Sequence, residues 1–107
     1  MHIEQAQYFN ALLKDLHENK PGMSMQGLIY ISFILANYEI GKTKLLHMYD
    51  LVAQEYDTTP AACERAVRRW ITGIDPSVLA NYLGLNTLTD TRTASIIPLL
   101  KATIDFK

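Results

Sequence analysis

The stretch from Asp57 to Thr72 constrains the fold of this chain more than any other. It combines a helix-start signal with a helical pattern that has one apolar and one polar side. Thr59 is a good N-cap, and Pro60 suits the first helical position, where no backbone N–H is needed. The apolar residues of the stretch recur at the spacing of one buried face and are Cys63, Ala66, Val67, Trp70 and Ile71. The sequence therefore predicts a helix over residues 60–72 that packs against the domain by one face.

The opposite side of the same expected helix carries small and charged residues. These are Ala61, Glu64, Arg65, Arg68, Arg69 and Thr72, and Ala62 lies beside them near the N-terminus. Arginine pairs bidentately with guanine O6 and N7, and a carboxylate accepts from cytosine N4, so such a helix could enter a DNA major groove. A solvated helix with scattered charges has the same pattern, and the helix alone does not separate the two readings.

The rest of the chain also predicts helices. Apolar residues at helical spacing favour helices over residues 2–18, 24–38, 43–55 and 76–83, and a last one that begins near Thr93 or Ser95. Pro98 is tolerable in that last helix only if it lies in the first turn. There is no repeat, convincing strand or domain boundary. We therefore expect one domain over residues 1–107, an all-α compact bundle of about six helices with a helix-turn-helix.

The sequence also allows finer predictions about the packing of the second helix and the capping of the third. Gly27 costs a helix about 1 kcal/mol against alanine, so its position inside the second helix indicates close packing by a neighbour. Most of the circumference of that helix is expected to be buried, because apolar residues wrap around it: Met25, Leu28, Ile29, Ile31, Ile34 and Leu35. Thr43 is expected to cap the third helix.

The connection between the third and fourth helices is very short and consists of Tyr56, Asp57 and Thr58. Two helices joined by so short a turn form a helix-turn-helix arrangement. Asp57 is an acceptable substitute for glycine where the turn needs a positive φ. Most helical hairpins are only structural, so this spacing leaves DNA binding as one interpretation among several.

The charge balance of the whole chain argues mildly against nucleic acid. Its net charge is −1, whereas a dedicated nucleic-acid binder is often strongly basic. The three arginines of residues 60–72 are nevertheless clustered, and Lys42 and Lys44 precede them. His47, close to Lys44, could also approach a phosphate. A local basic surface on a neutral domain predicts modest, salt-sensitive affinity from one copy.

The sequence offers no pattern of residues for catalysis or metal binding. It lacks a phosphate-binding glycine loop, a metal-spaced His/Asp/Glu cluster and a GxSxG elbow, so we expect no enzyme, no metal and no cofactor. The single cysteine, Cys63, excludes a disulfide framework and favours a reducing cytoplasm. The longest apolar run is too short and interrupted to span a bilayer, so we expect no membrane partner.

Residues 48–71, MYDLVAQEYDTTPAACERAVRRWI, carry a family resemblance. They resemble the C-terminal effector domain of the stage-zero sporulation protein A family, the response regulators that start sporulation in spore-forming bacteria. Pro21, Gly27 and the late Thr93-x-Ser95-x-Ile97 fall in compatible places, and the resemblance extends over about residues 12–104. It is specific through the helix-turn-helix and loose outside it.

The resemblance implies an all-helical domain whose second motif helix enters the major groove and reads a short box, often as tandem copies. By matching positions, the residues that would face DNA are Glu64, Arg65, Arg68 and Arg69. Thr59 would cap the reading helix against the DNA backbone.

The chain departs from the family pattern in two respects. The family usually carries Ser-Arg where this chain has Ala61-Ala62, so one base-reading arginine is missing. Either the box differs, with alanine contacting thymine methyl groups, or DNA affinity has been lost. The family domain also normally follows a phosphorylated receiver domain, and this sequence has none. In a complete chain, aspartyl phosphorylation would then not be the switch.

Three readings of the charged face therefore stand. The favoured one is a transcriptional regulator that binds duplex DNA through residues 64–69, as dimers or in tandem, with phosphates held by Lys42, Lys44 and Thr58. The rival is a protein-interaction module that binds and modulates another regulator. In the third, the arginines are structural and pair with Glu64, Glu55 and Asp50. Surface pairs contribute only ~0–1 kcal/mol each, which is a weak reason to cluster three arginines.

Overall fold

The computed structural model describes residues 3–13, 16, 25–88, 90 and 92–105, with only the backbone described for residues 3–6. Its helices are α1 (Ile3–Leu13), α2 (Met25–Asn37), α3 (Leu45–Glu55), α4 (Pro60–Thr72), α5 (Pro76–Leu83) and α6 (Thr93–Asp105). Every regular element in these ranges is helical, which confirms the all-α prediction. The radius of gyration of the Cα atoms, 12.8 Å, is that of one compact domain of this length.

Local sequence signals define the ends of α4 and α5 as expected. The hydroxyl of Thr59 accepts a hydrogen bond from Ala62 N at 3.1 Å, and Pro60 is the first residue of α4. The carboxylate of Asp75 accepts from Ser77 N at 2.9 Å at the start of α5. The sequence favours Ser24 as the N-cap of the second helix and Phe106 on the apolar side of the last one. Both residues lie outside the described ranges, as does the end predicted for the first helix near residue 18.

Helix α2 is the central element of the core. It makes its most extensive contacts with α1 and α4 and also contacts α3 and α6. Its buried residues are Gly27, Leu28, Tyr30, Ile31, Ser32, Phe33, Ile34, Leu35 and Ala36. The buried hydroxyl of Ser32 donates to Leu28 O at 2.7 Å, so it adds no unsatisfied polar group to the apolar core.

The closest approach in the core is between α2 and α4, at Gly27. A Cβ atom placed on Gly27 would lie 2.6 Å from Trp70 Cβ and still closer to the carbonyl oxygen of Ala66. No real side chain fits into that space, so the two helices meet backbone to backbone here. This confirms the prediction of close packing and explains a glycine in the interior of a helix.

The same contact determines which side of α4 faces inward. Cys63, Ala66, Val67, Trp70 and Ile71 are all buried, as their spacing predicted. Trp70 is fully buried and is the largest such side chain in the described core. The charged side of α4 must then face away from α2.

A half-buried lysine attaches α6 to the first two helices. Lys101 Nζ donates to the carbonyl oxygen of Leu35 at 3.0 Å and lies 5.3 Å from the centre of the Phe9 ring. Asp105 is 3.6 Å away and partly balances the charge. Because the Leu35 carbonyl belongs to the last turn of α2, a cation there also interacts favourably with the helix dipole.

The burial predicted around α2 is confirmed for Leu28, Ile31, Ile34 and Leu35 and is wrong for two residues near its start. Met25 is 56% exposed and Ile29 is 36% exposed. The sequence of α2 is apolar nearly all the way round, and such a pattern does not say which side the neighbouring helices leave uncovered.

The predictions for Thr43 and Pro98 are also wrong. Thr43 does not cap α3; its hydroxyl accepts from Glu39 N at 3.2 Å and its own N–H donates to Glu39 O at 2.9 Å, so it closes the preceding turn. The N-cap of α3 is Lys44, with no side-chain capping bond. Pro98 lies in the second turn of α6, because that helix already begins at Thr93.

We expect Gly27→Ala to lower the free energy of unfolding by about 3 kcal/mol, because the new methyl group overpacks the α2–α4 contact. Urea denaturation followed by circular dichroism measures the change. Gly41→Ala is the matched control: Gly41 has φ +81° with nothing within 4 Å of its Cβ position, so it loses only about 1 kcal/mol from backbone strain. Equal losses in the two variants would contradict the close contact.

Candidate nucleic-acid interface

The connection between α3 and α4 is ordered by hydrogen bonds of its own backbone. Tyr56 N donates to Val52 O at 2.9 Å, and Thr58 N donates to Ala53 O at 3.0 Å. Asp57 between them has φ 53°, the left-handed conformation predicted for it. The bond from Thr58 to Ala53 is the long bond of a Schellman-type helix end, which turns the chain sharply.

Aromatic packing fixes this connection to the core. The ring of Tyr56 lies 5.4 Å from the Tyr30 ring and 5.7 Å from the Phe33 ring, in an edge-to-face arrangement with the latter. Since both partners belong to α2, the turn and the start of α4 are held to the central helix.

The outer side of α4 is largely open to solvent. Ala61, Arg65, Arg68, Arg69 and Thr72 are exposed, and Ala62 and Glu64 are half-buried. The structure thus places all the predicted α4 residues along one side of the helix, as their spacing required. The hydroxyl of Thr72 donates to the Arg69 carbonyl at 3.2 Å.

The three arginines on this side differ in their partners. Arg68 Nη2 donates to Glu64 Oε2 at 2.6 Å, an ion pair between residues one helical turn apart. Within the described part of the chain, neither Arg65 nor Arg69 forms an ion pair, and Asp50 and Glu55 hold no arginine. A purely structural use therefore accounts for one of the three guanidinium groups.

The two candidate lysines lie apart from α4 in the chain, on the segment that leads into α3. Lys42 pairs with Glu39 at 3.6 Å, with both side chains mostly exposed. Lys44 is exposed and is the N-cap of α3. In the described residues no hydrogen bond or ion pair joins either lysine to α4 or to the turn before it.

A shallow groove separates the outer side of α3 from the start of α4. It has a volume of about 350 Å³ and is lined by His47, Asp50, Ala53, Gln54, Thr58 and Pro60. Thr58 was predicted as part of the interface, and Gln54 and Asp50 were not. The signal that could have found them is their position on the exposed side of α3, one and two turns before the short connection.

Beneath the charged side of α4, the titratable groups are buried and neutral. Burial, with a smaller contribution from Glu64, raises the pKa of the Cys63 thiol to about 12. Burial raises the pKa of Tyr49 as well; Glu64 adds to that shift and Arg68 opposes it. The thiol therefore stays protonated at neutral pH, which makes it a poor nucleophile and a poor metal ligand.

The described residues contain neither a metal-binding cluster nor a membrane-spanning helix. No group of three or more His, Cys, Asp or Glu residues in the described ranges could hold a metal ion. None of the helices in those ranges is long and apolar enough to cross a membrane.

Comparison with known proteins adds no assignment. No family model, curated protein or solved structure matches this chain. The likeness of residues 48–71 to the sporulation-regulator effector domain therefore stays a prediction from the sequence.

We expect Cys63 in the folded protein to resist a thiol reagent such as 5,5′-dithiobis(2-nitrobenzoate) at pH 8. The reason is that burial of the α4 inner face both blocks access and keeps the pKa of the thiol near 12. Absorbance at 412 nm follows the reaction, and the same protein in urea is the control, since its exposed thiol reacts quickly. Equal rates in buffer and in urea would contradict the orientation of α4.

Proposed function

We propose that this protein is a small transcriptional regulator that binds duplex DNA, with α4 as the helix that enters the major groove. The observation that carries the proposal is the outer side of α4, where Arg65 and Arg69 lie exposed with no ion-pair partner among the described residues. Exposed guanidinium groups are the side chains best suited to both guanine edges and phosphates.

The dimensions of α4 support this use. A helix of 13 residues is about 20 Å long, and the major groove, about 12 Å wide, admits a helix. Ala61 and Ala62 at its N-terminus carry only methyl groups, so the backbone can come close to the base edges. In this proposal the two alanines contact thymine methyl groups, and the arginines behind them read guanine.

Backbone contacts come from the elements before α4. We assign phosphate contacts to Thr58 in the turn and to Lys42 and Lys44 before α3. The groove between α3 and α4 adds the imidazole of His47 and the amide of Gln54, both hydrogen-bonding groups beside the turn. These contacts orient the helix and carry no sequence information of their own.

One copy of the chain binds weakly in this proposal. Its net charge is −1, so attraction to DNA comes from the local arginines and lysines alone. Specific binding then uses two copies, as a dimer or on tandem sites. The resemblance to the sporulation-regulator effector domain agrees with tandem binding and with action in the cytoplasm.

A second candidate function is a module that binds and modulates another regulator. The observation that favours it is the exposure of two apolar residues near the lysines: Leu46 is 78% exposed and Ile40 is 50% exposed. Apolar side chains beside cationic ones suit a protein partner with leucine-like and acidic residues. The missing arginine at Ala62 points the same way.

Selection of bound sequences from random duplex DNA, followed by affinity measurements with variants, tests the first candidate. We expect Arg65→Ala to weaken binding of the selected duplex about tenfold or more, because a bidentate contact to a base is lost. Fluorescence anisotropy at 50 and 150 mM salt measures the change.

Arg65→Lys is the matched control for this experiment. It keeps the charge and loses the planar two-pronged donor, so it should retain affinity for random duplex and lose preference for the selected one. If no sequence is selected and both variants bind DNA like the unmodified protein, the first candidate is wrong. Cross-linking to a partner protein that Leu46→Glu abolishes would then favour the second.

A further inference from the structure

On the outer side of α4, one arginine is bound in an ion pair and the other two are not. Arg68 Nη2 lies 2.6 Å from Glu64 Oε2, and the two side chains are 56% and 34% exposed. The carboxylate lies one turn N-terminal to the cation, which is the favourable order for a pair on a helix. Glu64 thus neutralises Arg68, whereas Arg65 and Arg69 have no ion-pair partner among the described residues.

The charges of the pair act on a buried residue of α3. Tyr49 is only 5% exposed, and its hydroxyl is close enough to Glu64 and Arg68 for both charges to affect its pKa. Glu64 is itself half-buried, so its carboxylate has less freedom to swing into solvent than a fully exposed one.

Such a pair weakens contacts with DNA phosphates but is compatible with contacts to base edges. A free guanidinium group is attracted to phosphate at every position along a duplex, whatever the sequence. For Arg68 to bind phosphate, it must leave Glu64, and the carboxylate then lies uncompensated beside a polyanion. A base edge is different, because guanine accepts from the arginine while a neighbouring cytosine N4 donates to the carboxylate.

We propose that Glu64 determines specificity by withholding Arg68 from phosphate, so that this arginine contributes to binding only where base edges satisfy both side chains. This inference rests on the proposed DNA binding. Its consequence is that Glu64 lowers the affinity for DNA of arbitrary sequence more than it affects the affinity for the selected site.

The test compares Glu64→Gln with Glu55→Gln, each of which removes one carboxylate. Glu55 is exposed at the end of α3, does not line the groove beside α4 and holds no arginine in the described residues. The two variants therefore change the net charge equally, and only one of them frees Arg68. Anisotropy titrations with a random-sequence duplex and with the selected duplex, each at several salt concentrations, give affinities and salt slopes.

We expect Glu64→Gln to bind random duplex about two- to fivefold more tightly, since freeing a surface pair of this strength releases one arginine for phosphate. The slope of log affinity against log salt should steepen by about 0.9, the value for one additional phosphate contact. Affinity for the selected duplex should not rise, so the ratio of the two affinities falls. Glu55→Gln should leave both that slope and that ratio unchanged.

Repeating Glu64→Gln in an Arg68→Ala background separates the pair from general charge effects. Because this background has no arginine at position 68 to release, Glu64→Gln should change neither the salt slope nor the ratio of the two affinities. Thermal melts check that each variant stays folded; both positions are on the surface of α4, so we expect small shifts.

Three results would overturn the inference. Glu64→Gln could behave like Glu55→Gln, its effect could persist in the Arg68→Ala background, or it could weaken binding to random duplex. If Arg65→Ala still weakens binding of the selected duplex, the proposed function stands while the inference fails. If the unmodified protein binds neither duplex, the proposed function fails and the inference fails with it.

Discussion

The contact between α2 and α4 at Gly27 is the constraint on which the rest of the structure depends. With no side chain at this position, the backbone of α4 at Ala66 and the Cβ of Trp70 come directly against α2. The contact fixes α4 by its apolar side, and Trp70 and Val67 are completely buried as a result. The exposure of the arginines follows from the same packing, because a helix held by one face presents the other.

Two helix signals bring the chain to that contact in the right orientation. The left-handed Asp57 turns the chain after α3, and Thr59 caps the start of α4 three residues before Ala62. The Tyr56 ring holds the turn against α2. The turn at Asp57 and the start of α4 could be predicted from the sequence because each depends on a local preference: an Asp in a tight turn, a capping hydroxyl and a proline at the first helical position. The two-sided pattern of residues 60–72 was readable for the same reason.

Other features required the three-dimensional arrangement. The exposure of Met25 and Ile29 was mispredicted because α2 is apolar on nearly all sides, so its sequence does not distinguish the covered side from the open one. Thr43 looks like a cap in the sequence but closes the preceding turn. The spacing of Glu64 and Arg68 in the sequence allowed an ion pair between them. It did not predict that Arg65 and Arg69 have no carboxylate partner in the described residues, or that α3 contributes a groove with Gln54. The function and the family resemblance remain predictions from residues, since helical hairpins of this kind serve many purposes.

The central claim is that the exposed side of α4 and the turn before it contact duplex DNA. Its most direct test is a two-dimensional ¹⁵N NMR titration of the folded protein with a duplex recovered by selection, observing backbone amides and the arginine Nε–H groups. The account predicts that the largest shifts fall on residues 58–69 and on the Nε–H signals of Arg65 and Arg69, with α5 and α6 little affected. Shifts confined to α5, α6 or the region of Ile40 and Leu46, with unchanged arginine signals, would contradict it.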